Sequence, residues 1–359
     1  MWKLQRDESL RASQLADFDA DNNLCARRNI FGLPFSEASA AVVILPVPWE
    51  VSVSYREGTA QAPASIHRQS HQLDLFDLHY GNLWQEGISM RPIPGGLWHQ
   101  SDTLRQKVRD YQAFLEGHRE MAAVEVNRLL DEVNQASQDM VDWVQQQTEA
   151  IWSAGKIPGL VGGDHSTPLG AMRCLRQYHP GATLLQIDAH ADLRIAFEGF
   201  VHSHASIMHN ALDGGKAAGF GKLVQVGIRD LCETEYQRIQ QDARIVCFGD
   251  DFLQQQAFAG TTWQEQCKDI LGYCGPEVYI SLDIDGLEAA FAPATGTPVP
   301  GGLHYNQVTY LLRQLGISGK RIIGFDLCEV GCGKDEWDAI VGARMLYQLC
   351  LSSLAAQKK

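Results

Sequence analysis

The sequence of 359 residues has no apolar run near the roughly 18 residues a membrane span needs, and the stretch from Ala40 to Val47 is broken by Pro46. Its opening, MWKLQRDESLRAS, lacks the apolar centre of a secretory leader. Basic residues are in deficit: 30 Lys and Arg stand against 43 Asp and Glu, a formal charge of −13. That balance argues against nucleic acid or an anionic membrane as partner, since both call for basic patches, and it suits a small cationic ligand. There is no CxxC pair. The nine cysteines are odd in number and scattered, and they read as reduced, mostly buried thiols of a cytoplasmic protein. No GxGxxG follows the first strand. The glycine-rich Gly214–Lys222 (GGKAAGFGK) misses P-loop spacing, with Leu223 where Ser or Thr is needed, and reads as a turn. What is present is ordinary globular composition, 45% hydrophobic and 20% charged, without repeats, low-complexity tracts or linkers.

Residues 1–40 carry little pattern and are expected to form an N-terminal extension. Residues 41–359 are then one α/β domain, with residues 80–101, rich in Gly and Pro, as an irregular surface excursion. Strand candidates begin at Ala41 (AVVILPVP), Ile157, Thr183, Leu223, Arg244, Val278 and Arg321. Helix-length segments separate most of them. Two helices are expected between Thr103 and Trp152, and others over Trp263–Leu271, Tyr305–Leu315 and Trp337–Ala356. This alternation predicts a mainly parallel sheet covered by helices on both faces.

Three segments concentrate metal-ligand side chains, and each ends or follows a strand candidate: GGDHS (Gly162–Ser166), DAHAD (Asp188–Asp192) and SLDID (Ser281–Asp285). Ligand sites of open parallel sheets form at the carboxyl ends of strands. In extended chain, residues two apart share a side, so Asp188, His190 and Asp192 can converge, as can Asp283 and Asp285, with His165 as a sixth group. Two imidazoles and four carboxylates suit Mn²⁺ and could take Fe²⁺, Co²⁺, Ni²⁺ or Zn²⁺, and bridging carboxylates allow two ions about 3.5–4 Å apart. Asp164 reads equally as a turn former or helix cap. His202 and His209 flank the region and read as structural. Cys328 and Cys332 (CEVGC) have no matching pair elsewhere.

Together GGDHS, DAHAD and SLDIDGLEAAFAPATGTPVPGGL resemble the signature segments of the ureohydrolases, the arginases and agmatinases, from about Ala41 to the C-terminus. The resemblance implies a three-layer α/β/α sandwich around a mainly parallel sheet. It implies a centre of two divalent ions, Mn²⁺ or alternatively Ni²⁺, that hydrolyses a guanidino carbon and releases urea. It implies His165 and Asp192 on one metal, His190 and Asp285 on the other, and Asp188 and Asp283 bridging. His204, in SHAS, matches a proton-shuttling or substrate-contacting histidine, and Asp192 is a second candidate for the proton relay. Glu329, in GFDLCEV, matches a glutamate facing the guanidinium, with a salt bridge to Arg321 as its structural alternative. Arg194 is open between a substrate carboxylate and a structural ion pair. The segment DAHADLRIAFEGFVHSHASIM is similar to agmatinases more than to arginases, and the tail and N-terminal extension are similar to guanidine hydrolases. A small cationic guanidino substrate and a homo-oligomer, trimer or hexamer, are therefore expected. Guanidinobutyrase, arginase and a non-catalytic partner subunit are the alternatives. Glu288 and Ala289 stand where the family has Asp-Pro, so a reshaped loop is expected there.

Overall fold

Strands that are apolar along their whole length offer no face to water and must be covered on both sides. The strands β1 (Val42–Pro46), β2 (Ile88–Met90), β3 (Ile157–Val161) and β4 (Thr183–Ile187) are buried at every position. With β5 (Lys222–Val226), β6 (Ile245–Phe248), β7 (Glu277–Asp283) and β8 (Arg321–Cys328) they form one parallel sheet in a computed structural model that describes residues 3–21, 29–213 and 220–358. The order is β2-β1-β3-β8-β7-β4-β5-β6. Helices pack around it as the expected α/β/α sandwich, and among the described residues none is long and apolar enough to cross a membrane. Residues 214–219 of the expected glycine-rich turn lie outside the described residues.

The helix Ala123–Ser153 shows why such segments pack. Leu129, Val133, Ala136, Met140, Val144 and Ile151 recur at helical spacing and are all buried. The last helix, Trp337–Ala355, is buried on nearly every face and packs on β8 and on the helix Tyr305–Ile317.

Two expectations are corrected. Residues 80–101 are not simply irregular: they hold β2, an edge strand paired in parallel with β1, and the start of the helix Gly95–Leu115. A three-residue strand is too short to show periodicity, and Gly95–Gly96 in a first helical turn mimics a loop. Nor is the N-terminal extension irregular throughout its described residues. Glu8–Ala16 is helical, and Ile30, Phe31, Leu33 and Phe35 are buried in the same cluster as the sheet. Gly32 and Pro34 interrupt that apolar run and hide it from pattern reading.

The sheet centre depends on one large-to-small pairing. Phe325 in β8 is fully buried, and a Cβ on its neighbour Gly159 in β3 would come within 2.5 Å of the Phe325 ring. Phe325→Ala should therefore destabilise by about 3–5 kcal/mol through a cavity, and Gly159→Ala by about 1–3 kcal/mol through overpacking. Urea unfolding checks both. In the Gly159→Ala background, Phe325→Leu should cost less than in the wild type.

Candidate metal centre

Parallel strands deliver the residues that follow them to one edge of the sheet. β3, β8, β7 and β4 are consecutive neighbours there, although β3 and β8 are far apart in sequence. His165 Nδ1 lies 3.0 Å from Asp188 Oδ2, 3.0 Å from Asp192 Oδ2 and 3.3 Å from Asp283 Oδ2. His190 Nδ1 lies 3.1 Å from Asp285 Oδ2 and 3.7 Å from Asp188 Oδ1. The donors thus form two groups, His165–Asp188–Asp283 and His190–Asp188–Asp285, with Asp188 common to both. All six expected residues come together, but two do so by a route other than strand alternation. Asp192 is turned inward by a left-handed backbone, φ 54°. Asp285 sits in a 3-10 turn, Ile284–Gly286, where its N–H donates to Asp283 Oδ1 at 2.9 Å.

The electrostatics of this cluster are strained. Burial, then the charge on Asp188, pushes Asp192 up to about 7. Burial, then Asp285 and Asp188, holds Asp283 well above the usual carboxylate range. Asp188 falls below that range, because contacts with His165 and His190 outweigh its burial. Burial would lower both histidines. The carboxylates overcome it and raise His165 well above the ordinary value and His190 to about 12. The only ion-pair partners that the four aspartates find among the described residues are these two histidines. His165 Nδ1 and Asp285 Oδ2 are buried without a hydrogen-bond partner. Orphaned donors of nitrogen and oxygen type, short of countercharge, fit divalent cations.

A surrounding layer orients the donors. His165 Nε2 lies 2.9 Å from Ser281 Oγ, whose hydroxyl donates to the buried Asp326 Oδ1 at 3.0 Å. That chain gives the Nε2 proton an acceptor and leaves Nδ1 facing the aspartates, where it can ligate a cation once its own proton is displaced. Gln186 donates to Asp188 Oδ2 at 2.8 Å and accepts from Gln225 Nε2 at 2.7 Å. Asp164 is the turn former of its alternatives: Oδ1 accepts from the Ser166 N–H at 3.0 Å. Its Oδ2 accepts from Ser52 Oγ at 3.0 Å, and Ser52 Oγ in turn accepts from the His204 N–H at 3.0 Å. Burial, then the neighbouring His190 and His165, lowers His204 to about 4, so its ring is neutral near pH 7.

Glu329 follows β8 with φ 60° and is clamped at both ends. Its N–H donates to Gly163 O and its carbonyl accepts from Thr295 Oγ1, each at 2.8 Å. Its Oε1 accepts from the His165 N–H at 2.9 Å, and burial, then Asp164, holds its carboxyl well above the usual range. The alternative salt bridge is not formed: Arg321 lies at the opposite end of β8, 3.6 Å from Glu277. Arg194 approaches Glu235 at 3.5 Å and lies over the Phe197 ring. His202 is bonded to Gln138 and His209 to Arg238, both away from the centre. Cys328 packs on Thr167 and Cys332 on Ser65, so they form no metal pair. The loop bearing Glu288 and Ala289 is tied down by the Glu288 N–H donating to Leu303 O at 3.0 Å. Beside the centre opens a cavity of about 180 Å³, lined by His190, Asp192, His204, Arg194, Phe197 and Asp230 among others.

Ser52, Gln186, Gln225, Asp230 and Asp326 also adjoin the site but belong to none of the three motifs. The glutamines and Asp326 did leave a signal, a polar residue in the middle of an otherwise apolar strand. Such a residue is fully buried and must find a partner.

An Arginase family model matches residues 40–352. An N(1)-aminopropylagmatine ureohydrolase of Thermus thermophilus is 30% identical over 325 residues, 89% of this chain and 93% of that protein. An agmatinase of Proteus mirabilis is 30% identical over 351 residues, 95% of this chain and 97% of that one. The solved agmatine ureohydrolase of Thermoplasma volcanium superposes with a TM-score of 0.67 at 23% identity, covering 96% of this chain and 98% of that chain, and so shares the fold.

His202 gives a pH test of the packing where it meets Gln138. Burial, then the charge of Arg173, lowers it to about 4, only partly offset by Asp142. The unfolded chain, with its histidine near the ordinary 6.5, binds the proton first as pH falls. This contribution is therefore complete above about pH 6.5 and declines to about pH 4, by on the order of 2–3 kcal/mol. His202→Gln keeps a donor toward Gln138 and should flatten that part of the slope in urea-unfolding stability measured from pH 4 to 7.

Proposed function

The chain belongs to the arginase family and is a hydrolase of C–N bonds in linear amidines, and we propose that it releases urea from a small agmatine- or guanidine-like compound. The observation that carries this reading is the pair of donor groups sharing Asp188, beside a cavity of small-molecule size. Two divalent ions, Mn²⁺ or in its place Ni²⁺, would be held by His165, Asp188, Asp192 and Asp283 on one side and by His190, Asp188, Asp283 and Asp285 on the other. When bound, such ions supply Lewis acidity and a strongly acidified water, which a resonance-stabilised guanidinium carbon requires of its nucleophile.

The chain's own residues do the rest. Glu329, buried and without an Arg or Lys partner among the described ion pairs, would accept paired hydrogen bonds from the planar substrate cation and fix its carbon before the centre. His204, neutral near pH 7, can take up a proton and return it, and Asp192 on the cavity wall is its fellow candidate for protonating the leaving nitrogen. The loop from Leu193 to Val201 lacks the arginase-like arrangement for an α-amino acid, which favours a non-amino-acid guanidino substrate over arginine. A non-catalytic partner subunit is disfavoured because all six donors converge. We take the protein to be a cytoplasmic homo-oligomer, trimer or hexamer, that acts without nucleic acid or membrane, in keeping with its charge of −13.

Chelation to a metal-free state should abolish urea release, with recovery on adding Mn²⁺ or Ni²⁺, and Asp283→Asn should lower metal content and activity together. Glu329→Gln keeps the shape but removes the charge. It should lower kcat/KM by roughly 30- to 1,000-fold, about 2–4 kcal/mol, with metal content retained. Asp192→Asn should lower both. Metal analysis and urea assays on the same preparations separate these outcomes, and full turnover without metal contradicts the reading.

A further inference from the structure

We propose that Ser52 is a positioning residue for His204, fixing its ring proton on Nδ1 so that Nε2 is the atom that exchanges protons in the cavity. The inference rests on guanidino hydrolysis at the centre described above and assigns the proton relay of that reaction to one ring nitrogen. It starts from hydrogen counting: Ser52 is only 1% exposed, its hydroxyl owns a single proton, and Asp164 and two nitrogens of His204 surround its Oγ.

The carboxylate of Asp164 takes that proton. Ser52 Oγ donates to Asp164 Oδ2 at 3.0 Å, while the Ser52 N–H reaches the same oxygen only at 3.3 Å. Asp164 Oδ1 is filled from the other side by the N–H and the hydroxyl of Ser166, so the Asp164 side chain is an acceptor in each of its bonds. Turning the Ser52 hydroxyl elsewhere would leave one oxygen of a fully buried carboxylate with a single long bond. Oγ is thereby left to accept. It takes the His204 N–H at 3.0 Å, and its other approach, 3.3 Å to His204 Nδ1, is a hydrogen bond only if Nδ1 carries the proton. The backbone keeps the three residues in register: the Asp164 N–H donates to Trp49 O at 2.9 Å and ties its own turn to the loop that carries Ser52.

A neutral imidazole has one ring proton, and His204 is neutral near pH 7. With that proton committed to Ser52, Nε2 carries the lone pair. Nε2 finds no hydrogen-bond partner among the described residues, and its half-buried ring lines the cavity and meets Phe197 edge to face at 5.7 Å. Nε2 then accepts the proton that the attacking water gives up. It hands that proton to the leaving nitrogen, which keeps the electron pair of the breaking C–N bond, and the ring ends neutral with Nδ1–H unchanged. The opposite tautomer presents an N–H to the cavity and cannot begin this cycle. A carboxylate thus orients the imidazole through a hydroxyl, as the buried aspartate of a Ser-His-Asp triad does directly.

The test follows urea release and metal content in metal-loaded wild type, Ser52→Ala, Ser52→Thr, His204→Ala and the Ser52→Ala, His204→Ala double variant, on agmatine or guanidine, whichever wild type turns over faster. Ser52→Ala should lower kcat roughly 10- to 100-fold, with KM and metal content within about twofold of wild type. Ser52→Thr keeps a hydroxyl and should recover kcat to within about fivefold of wild type. Without His204, adding Ser52→Ala should change kcat by less than about twofold, because the group it acts through is gone. An undiminished kcat in Ser52→Ala, a loss carried by KM or metal content, or an equal loss with and without His204 overturns the role of Ser52. Wild type loaded with Zn²⁺ and labelled with ¹⁵N-histidine reports the tautomer by NMR, the His204 signals being those missing from His204→Ala. A protonated Nδ1 and a bare Nε2 support the inference, and the reverse overturns it even if Ser52→Ala does not fold, while urea release by wild type leaves guanidino hydrolysis standing. Absence of urea from every guanidino compound overturns the hydrolytic reading and this relay with it.

Discussion

Four carboxylates in a dry place repel one another, and the architecture around this site answers that constraint. Two like charges 4 Å apart at an effective dielectric of 20 cost about 4 kcal/mol, and Asp188, Asp192, Asp283 and Asp285 are all nearly inaccessible to water. Two buried imidazoles offset part of this by sharing protons with the aspartates, which is why Asp192 and Asp283 rise and Asp188 falls while both histidines rise. A cluster so arranged is unstable as an isolated object. It persists because donors such as His165 and Asp188 are fixed from behind, and because a cation bound to the folded chain alone would stabilise that fold.

The fixing from behind has a common form. Asp326 holds Ser281, which holds His165; Gln225 holds Gln186, which holds Asp188; Asp164 holds Ser52, which holds His204. Each chain starts from a fully buried polar group, where an unmet hydrogen bond is costly enough to enforce one geometry. Backbone strain completes the arrangement. Asp192 and Glu329 both occupy the left-handed region, which side-chain-bearing residues rarely adopt, and both carry carboxylates in contact with His165. Close approach matters as well: a Cβ on Gly163 would lie 2.0 Å from the Trp49 carbonyl, so only glycine lets the turn before His165 pass beneath that strand end.

The legible part of this structure is the part written in runs. Seven of the strands are long enough to carry mainly apolar stretches, and the three donor motifs each end or follow one of them, so fold class and the six candidate donors could be read from the chain. β2 was missed because three residues carry no period, and Ile30 to Phe35 because glycine and proline break the run. The supporting layer was harder for another reason. Gln186 and Gln225 are 39 residues apart, and Ser52 and Asp164 are 112 apart, so their partnership exists only after β4 pairs with β5 and the strand ends converge. A lone glutamine in a hydrophobic strand announces that some partner exists but not which one. The six candidate donors also meet by a route that spacing alone does not give, since Asp192 and Asp285 arrive through a left-handed residue and a tight turn.

Positive charge near such a centre is as constrained as negative charge. A mobile arginine at the cavity would itself be a guanidinium and would compete for the place of any cation entering from solvent. Two arginines beside the donors are both restrained. Arg229 is enclosed by five carbonyl oxygens, and in being so it ties the turn after β7 to the ends of neighbouring loops. Arg194 is held between Glu235 and Phe197. Both therefore serve the packing of the rim while their charge is directed into backbone or a buried acid. The field inside the cavity is left to Asp192 and Asp230 on its wall, and a negative field in a partly dry cleft is what concentrates small cations at the point where the strands end.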